Sequence, residues 1–426
     1  MKNISLILFV FVCKLIFAED TVYENKIYKD NIKTVQLEIA NWEVSYPILE
    51  LNSNRQLQLS FDDFLDETQD YSYKIIHCEA DWTVSDLSEN EYIEGFSENQ
   101  IPGPRSSFNT LTHYFHYKLR FPNEDLQIKL SGNYIIKVYN NYDENDLVLI
   151  RRFSISEAAA TISGNVTRAN LSKFYRTHQK VDFHVFLSNI QVNDPFSDVK
   201  VVVAPNNIPQ LAKTDLKPQF INNNELIYEY DDENCYPAFN EFRSLDIKTL
   251  KFNMEHVARI FSEDKQYFVR LYDDESRRFK VYISNSDING SYIIRCNEYK
   301  DYEIDADYAW VYFYLRMPEP VTNGNLYVFG ALSNWVTNNT NKMVYNYERR
   351  AYQLKLLLKQ GYYNFEYVYA NPEKKVFDPA RVEGSHYETE NDYLIYVYAK
   401  GFGDNYDRLV GFTVLNYPKD NRTLFK

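Results

Sequence analysis

Catalysis needs a few side chains of suitable type held together, and the chain has few runs that could supply them. His113-Tyr114-Phe115-His116 has the H-x-x-H form of a metal pair, but on a strand positions i and i+3 point to opposite faces and cannot share an ion. Gly384-Ser385-His386 places a hydroxyl next to an imidazole in sequence without the G-x-S-x-G elbow that would aim one at the other. Phe61-Asp62-Asp63-Phe64-Leu65-Asp66-Glu67 and Asp231-Asp232-Glu233-Asn234 concentrate carboxylates that could serve a glycosidase or bind calcium, yet neither has EF-hand spacing. In a chain with 60 acidic residues these runs read as solvated turns. Neither G-x-G-x-x-G nor G-x-x-x-x-G-K-[ST] occurs, and 12 glycines in 426 residues disfavour phosphate-cradling loops. The residues therefore point to no catalytic group, no cofactor, no cofactor-binding residue and no metal ligand.

Charge and compartment narrow the remaining classes. Residues 1–18 read as a secretory leader: Lys2 precedes the apolar run Ile4 to Val12, and Ile16-Phe17-Ala18 ends on a small residue before Glu19-Asp20. The run is shorter than the roughly 20 residues a spanning helix needs, so export without direct membrane insertion is expected. Cleavage would remove two of the 46 basic residues and leave a formal balance of −16. Such a charge excludes nucleic acid and anionic lipid as general partners, because no Lys/Arg-rich run concentrates positive potential. Arg151-Arg152 and Arg277-Arg278 are isolated pairs, read as solvated strand ends. Of the cysteines beyond the leader, Cys235 and Cys296 are the favoured disulfide pair because both fall in one expected module; separate buried thiols are the alternative.

The elements that would carry any site are strands. Val35 to Ile39, Leu57 to Phe61 and Tyr352 to Leu356 alternate apolar and polar at period two, and helical periodicity is nowhere sustained. With 38 Tyr and 28 Phe, the chain has the composition of extensive sheet surface. It reads as all-β, a series of tandem immunoglobulin-like β-sandwiches. A glycine turn leading into a tyrosine-opened strand occurs at Gly132-Asn133-Tyr134 and Gly290-Ser291-Tyr292, and more loosely at Gly361-Tyr362-Tyr363. Taken as one such turn per sandwich, it counts three domains. The expected boundaries are 28–156, 157–300 and 302–416, with a tail at 417–426. The middle module is expected to include strands at Val199 to Ala204 and Phe279 to Ile283. Between Trp82 and Ser107 lies a long connection holding Ile101-Pro102-Gly103-Pro104, of the length usually kept for a lid or binding surface.

Several long runs carry a family resemblance. Val328-Phe329-Gly330-Ala331-Leu332-Ser333-Asn334-Trp335, Glu383 to Tyr393, Tyr406 to Gly411, Asn240-Glu241-Phe242-Arg243-Ser244-Leu245-Asp246, and Asp81-Trp82-Thr83 followed by Glu91 to Phe96 resemble the type IX secretion system plug proteins of Bacteroidetes. The resemblance spans essentially the whole mature chain. It implies a periplasmic protein at the inner face of the outer membrane, monomeric within its complex. Such a protein would dock on the giant translocon barrel and seal it when no substrate is being exported. It implies no catalytic residue. The aromatics of the turn and long loop become the candidate partner contacts: Leu332, Asn334, Trp335, Trp82, Tyr92 and Phe96. The stretch from Phe329 to Val368 is also similar to glycogen- and starch-binding sandwich modules of the early-set type. In those modules Trp335 would stack on a sugar ring with Asn334 bonding a hydroxyl. That resemblance covers about a quarter of the chain and implies shared fold more than shared function.

Overall fold

The computed structural model describes residues 22–187, 190–401 and 403–418. The expected leader and residues 419–426 lie outside them. The α-helices among the described residues are single turns of four residues, and strands carry the architecture. Period-two alternation explains this, because each strand buries one face in a sandwich core.

The first sandwich is continuous in sequence. One sheet runs in the order Lys26–Ile27, Asp143–Ser156, Gly132–Asn140, Tyr71–Cys78, Glu98–Gln100, with Ile48–Glu50 parallel to Asp143–Ser156. The facing sheet is Ile32–Ile39, Leu57–Asp63, Phe115–Phe121, Arg105–Ser106. Leu57, Leu59, Phe61, Ile75, Tyr134 and Phe153 fill the space between them.

The other two sandwiches are nested, which corrects the expected boundaries. Val199–Pro205 pairs along its whole length with Asn391–Ala399, which pairs in turn with Arg408–Tyr417. These three strands face the sheet of Thr161–Arg168, His178–Phe186 and Glu225–Tyr228, and one core joins Val181, Phe183 and Val201 to Tyr393, Ile395 and Val397. The middle sandwich is thus made from two separated stretches. Between them the chain builds a complete third sandwich. Gly361–Asn371 is its central strand, bonded to Arg243–Asp246, Tyr292–Ile294, Asn325–Phe329 and Val376–Asp378. The opposite sheet contains Val257–Glu263, Gln266–Leu271, Tyr308–Arg316, Ala351–Lys359 and Val344–Asn346. Its core runs from Leu245 to Val382, so the boundary expected near residue 300 falls inside one core. The tail expected from 417 begins later, because Tyr417 is still paired with Asn391.

Nesting also changes two readings. Gly290 and Gly361 lie in one sandwich, with Ile294 opposite Gly361 and the Tyr292 and Tyr363 rings stacked at 5.1 Å, so the glycine turns do not count domains. The expected Cys235–Cys296 bridge is absent. Cys235 is on the middle sandwich and Cys296 in the core of the inserted one, both as buried free thiols, as is Cys78. Cys235 donates to the Asp231 carbonyl at 3.1 Å, and Cys296 to a Glu298 carboxylate oxygen at 3.2 Å.

Candidate functional site

The inserted sandwich leaves and re-enters the middle one at a single point, and polar side chains tie the two crossings together. His386 N–H donates to the Phe239 carbonyl at 2.7 Å, Phe239 N–H to Ser385 Oγ at 3.0 Å, and Asn240 Nδ2 to the Glu383 carbonyl at 2.7 Å. Below them Glu383, fully buried, accepts a two-pronged contact from Arg243, with Nε at 3.0 Å and Nη2 at 2.9 Å, and a third from Arg277 Nε at 2.6 Å. Burial pushes the Glu383 carboxyl up, but the two guanidinium groups more than offset this and hold it below its ordinary value. The outgoing crossing also carries Glu241, 1% exposed, whose Oε1 accepts from Tyr282 and from Glu390 N–H while Oε2 is unpartnered. Burial raises this carboxyl to about 7. Ser385 and His386 are therefore parts of a crossing: Ser385 Oγ donates to the Thr177 carbonyl at 2.6 Å.

A second junction presses the first sandwich onto the inserted one. Asp62 lies on strand Leu57–Asp63, fully buried, with Lys359 Nζ at 2.6 Å, Tyr308 Oη at 2.6 Å and His116 Nδ1 at 2.7 Å. Burial raises the Asp62 carboxyl, and the Lys359 ammonium and His116 outweigh it, leaving the pKa below the ordinary carboxylate value. Lys359 is 1% exposed, and burial lowers its pKa despite Asp62. The solvated-turn reading thus fails for Asp62 and for Asp63, which accepts from Asn31, Leu65 N–H and Tyr71. His116 turns inward to Asp62, while His113, which lies ahead of strand Phe115–Phe121 and not on it, bonds Ser106 Oγ on the exposed side.

The Asn334-Trp335 turn is where all three sandwiches meet. Both residues have left-handed φ, +56° and +58°. Asn334 Oδ1 accepts from Arg151 Nη2 of the first sandwich at 2.5 Å, and the Trp335 carbonyl accepts from Gln210 of the middle one at 2.8 Å. The Trp335 ring meets Phe329 edge-on at 5.6 Å and Phe242 at 6.2 Å, in an apolar cluster with Ile208 and Val368. Its indole is partly buried against this cluster. Arg151 and Arg152, expected as solvated strand ends, are desolvated here, and burial lowers both to about 10.

The remaining candidates divide by exposure. Leu332 packs against the inserted core, and Trp82 is half-buried under the Arg152 guanidinium, 4.4 Å from its ring centroid. Tyr92 is 3% exposed within the first core and has no surface to offer, which corrects its assignment as a contact. Phe96 is 66% exposed. Exposed apolar residues outside the candidate set include Phe108 and Leu111, just beyond the same loop, and Phe279, Val281 and Ile283. The last three alternate visibly in the sequence, but an alternating run is normally assigned to a half-buried strand.

These features define the class: an all-β protein of three sandwiches clamped at buried polar junctions. Among the described residues no group of three or more His, Cys, Asp or Glu is placed to hold a metal ion. A family model described as the type 9 secretion system plug protein 1st domain matches residues 32–157, which is the first sandwich. The crystal structure of a hypothetical protein from Parabacteroides merdae ATCC 43184 is 35% identical, covers 93% of this chain and 100% of that one, and superimposes with a TM-score of 0.90. A Pseudomonas fluorescens alkylpurine DNA glycosylase bound to DNA with an abasic site analog, at 8% identity over 29% of this chain and 30% of that one, has a TM-score of 0.18, below that of a shared fold. Comparison with curated proteins returned no match. The chain belongs to the type IX secretion system plug protein family.

Proposed function

We propose that the protein is a periplasmic plug that docks on the periplasmic opening of the type IX outer-membrane translocon barrel and seals it while no substrate is being exported. Family membership is the observation that carries this reading. The architecture supports it. A seal needs a wide body that does not bend, and the Asp62–Lys359 contact, the Glu390 N–H bond to Glu241 and the Gln210 bond to the Trp335 carbonyl fasten the sandwiches to one another. No helix among the described residues is long and apolar enough to cross a membrane. Phe96 is the strongest of the expected contacts, because it alone among them is largely exposed. The sugar-stacking reading receives no support from an indole occupied by Phe242, Phe329 and Gly290.

Deleting the gene in a host with an active system tests the proposal. Outer-membrane permeability to a large hydrophilic antibiotic should rise and return on complementation. The tagged protein should recover a giant barrel from detergent-solubilised envelopes. Unchanged permeability with no barrel recovered would overturn it.

A further inference from the structure

The run Phe279-Lys280-Val281-Tyr282-Ile283 has the sequence of a core strand and the surroundings of none. Phe279 is 88% exposed, Val281 82% and Ile283 66%, whereas the intervening Tyr282 turns inward, donates to Glu241 and lies 5.8 Å from the His386 ring. Phe279 and Lys280 leave a turn with both side chains exposed, and from there Val281 and Ile283 point outward with Tyr282 inward between them, the alternation of extended chain. Yet the run joins no sheet. From Phe279 to Ser286 the main chain makes one hydrogen bond among the described residues, Lys280 N–H to the Arg277 carbonyl, so the donors and acceptors of Val281 through Ser286 are open. The run is nonetheless held. Arg277 anchors its start to Glu383, Tyr282 pins its middle, and Asp287 fixes its end by accepting from Phe242 N–H at 2.6 Å.

We propose that Phe279–Ile283 is a strand-addition edge, which pairs with an extended, acidic-ended strand of a partner protein. An unpaired main chain with an apolar residue at every second position is satisfied on both counts only by another strand. Charge selects which strand. Arg278, exposed beside Phe279, makes no ion pair, and Lys280 holds Glu275 only through a surface pair with both groups more than half exposed. The other end, Ser284-Asn285-Ser286, is neutral. A second copy crossing antiparallel at Val281 would set Arg278 against Ser284, leave the guanidinium unmatched, and bring together two strongly acidic chains. A partner strand with Asp or Glu opposite Arg278 and an apolar run opposite Val281 matches both features. The identity of that partner rests on the plug reading, which places it in the translocon assembly.

The test uses the full chain in its native host, with a photo-crosslinking phenylalanine at position 279 and, as a control, at exposed Phe252. The expected result is an adduct at 279, absent at 252, joined to a strand of a translocon component. Val281→Pro removes one main-chain donor and Ile283→Asp one apolar contact, so each should reduce the adduct about tenfold or more while the melting temperature holds. No adduct at 279, or an adduct to a second copy, overturns the inference. If the barrel is recovered in that case, the plug reading survives its loss. An adduct to a strand of another protein with no barrel recovered keeps the edge and removes the plug reading.

Discussion

Lys359 is the ammonium that touches Asp62 at the face between the first and inserted sandwiches. Lys359→Met leaves that carboxylate buried with His116 and Tyr308 but no fixed positive charge, and breaking such a pair costs about 3–5 kcal/mol. The urea midpoint should fall accordingly, and Asp62→Asn in the same chain should restore much of it, because no buried charge then remains. Glu241 gives a pH dependence of definite sign. Its carboxyl titrates near 7 in the folded protein against an ordinary 4.5, so between these values the folded state holds more protons than the unfolded one. Stability from this group is therefore lost as pH rises from about 4.5 to about 7. Glu241→Gln removes the effect, and its melting temperature should gain on the parent protein between pH 5 and pH 8, by about 1 °C for each kcal/mol in a body of this size. Neither residue announces its role in sequence. Asp62 stands in a run of four acids, and what distinguishes it from Asp66 is a lysine almost 300 positions away.

Elements were more legible than their partners. The alternation at Val35 to Ile39, Leu57 to Phe61 and Tyr352 to Leu356 became strands because burial on one face is a local pattern that neighbouring side chains impose together. The tyrosine after each glycine turn is buried, as expected of a strand entering a core. The glycines differ in the reason for their presence. Gly290 has φ +77°, and a Cβ there would lie 2.5 Å from the Trp335 ring and 2.6 Å from Phe242. At Gly361 the clash is with the Ile293 carbonyl at 2.4 Å. Gly290→Ala should therefore cost about 1–3 kcal/mol through strain and overpacking. It should also shift the Trp335 fluorescence; an unchanged emission spectrum would show that the turn is not packed on this glycine. Phe279–Ile283 misled for the same physical reason that the other strands were readable. Periodicity reports an extended chain with two unlike faces, and does not say whether the apolar face is covered by the same molecule.

At the scale of the molecule, all-β sandwiches were legible and their nesting was not. Val199–Pro205 and Asn391–Ala399 are both apolar runs, and nothing local in either says that they are neighbours in one sheet. The crossings at Phe239 to Arg243 and Glu383 to His386 contain no flexible linker to mark a boundary, being packed and bonded to each other. Because the ends meet at Phe239 and His386, replacing residues 240–385 with a short Gly-Ser joint should leave a soluble protein of two sandwiches. The excised segment should give a β-rich circular dichroism spectrum on its own. A remainder that precipitates under the conditions where the whole chain is stable would show that the middle sandwich needs the inserted one. The same topology sets a timetable. When the chain emerges from its N-terminus, the Val199–Pro205 edge must wait for a partner made roughly 190 residues later, about 10–40 s at ordinary rates of synthesis. Throughout that interval half a sandwich stands open, and a newborn molecule depends on whatever shields its bare strand.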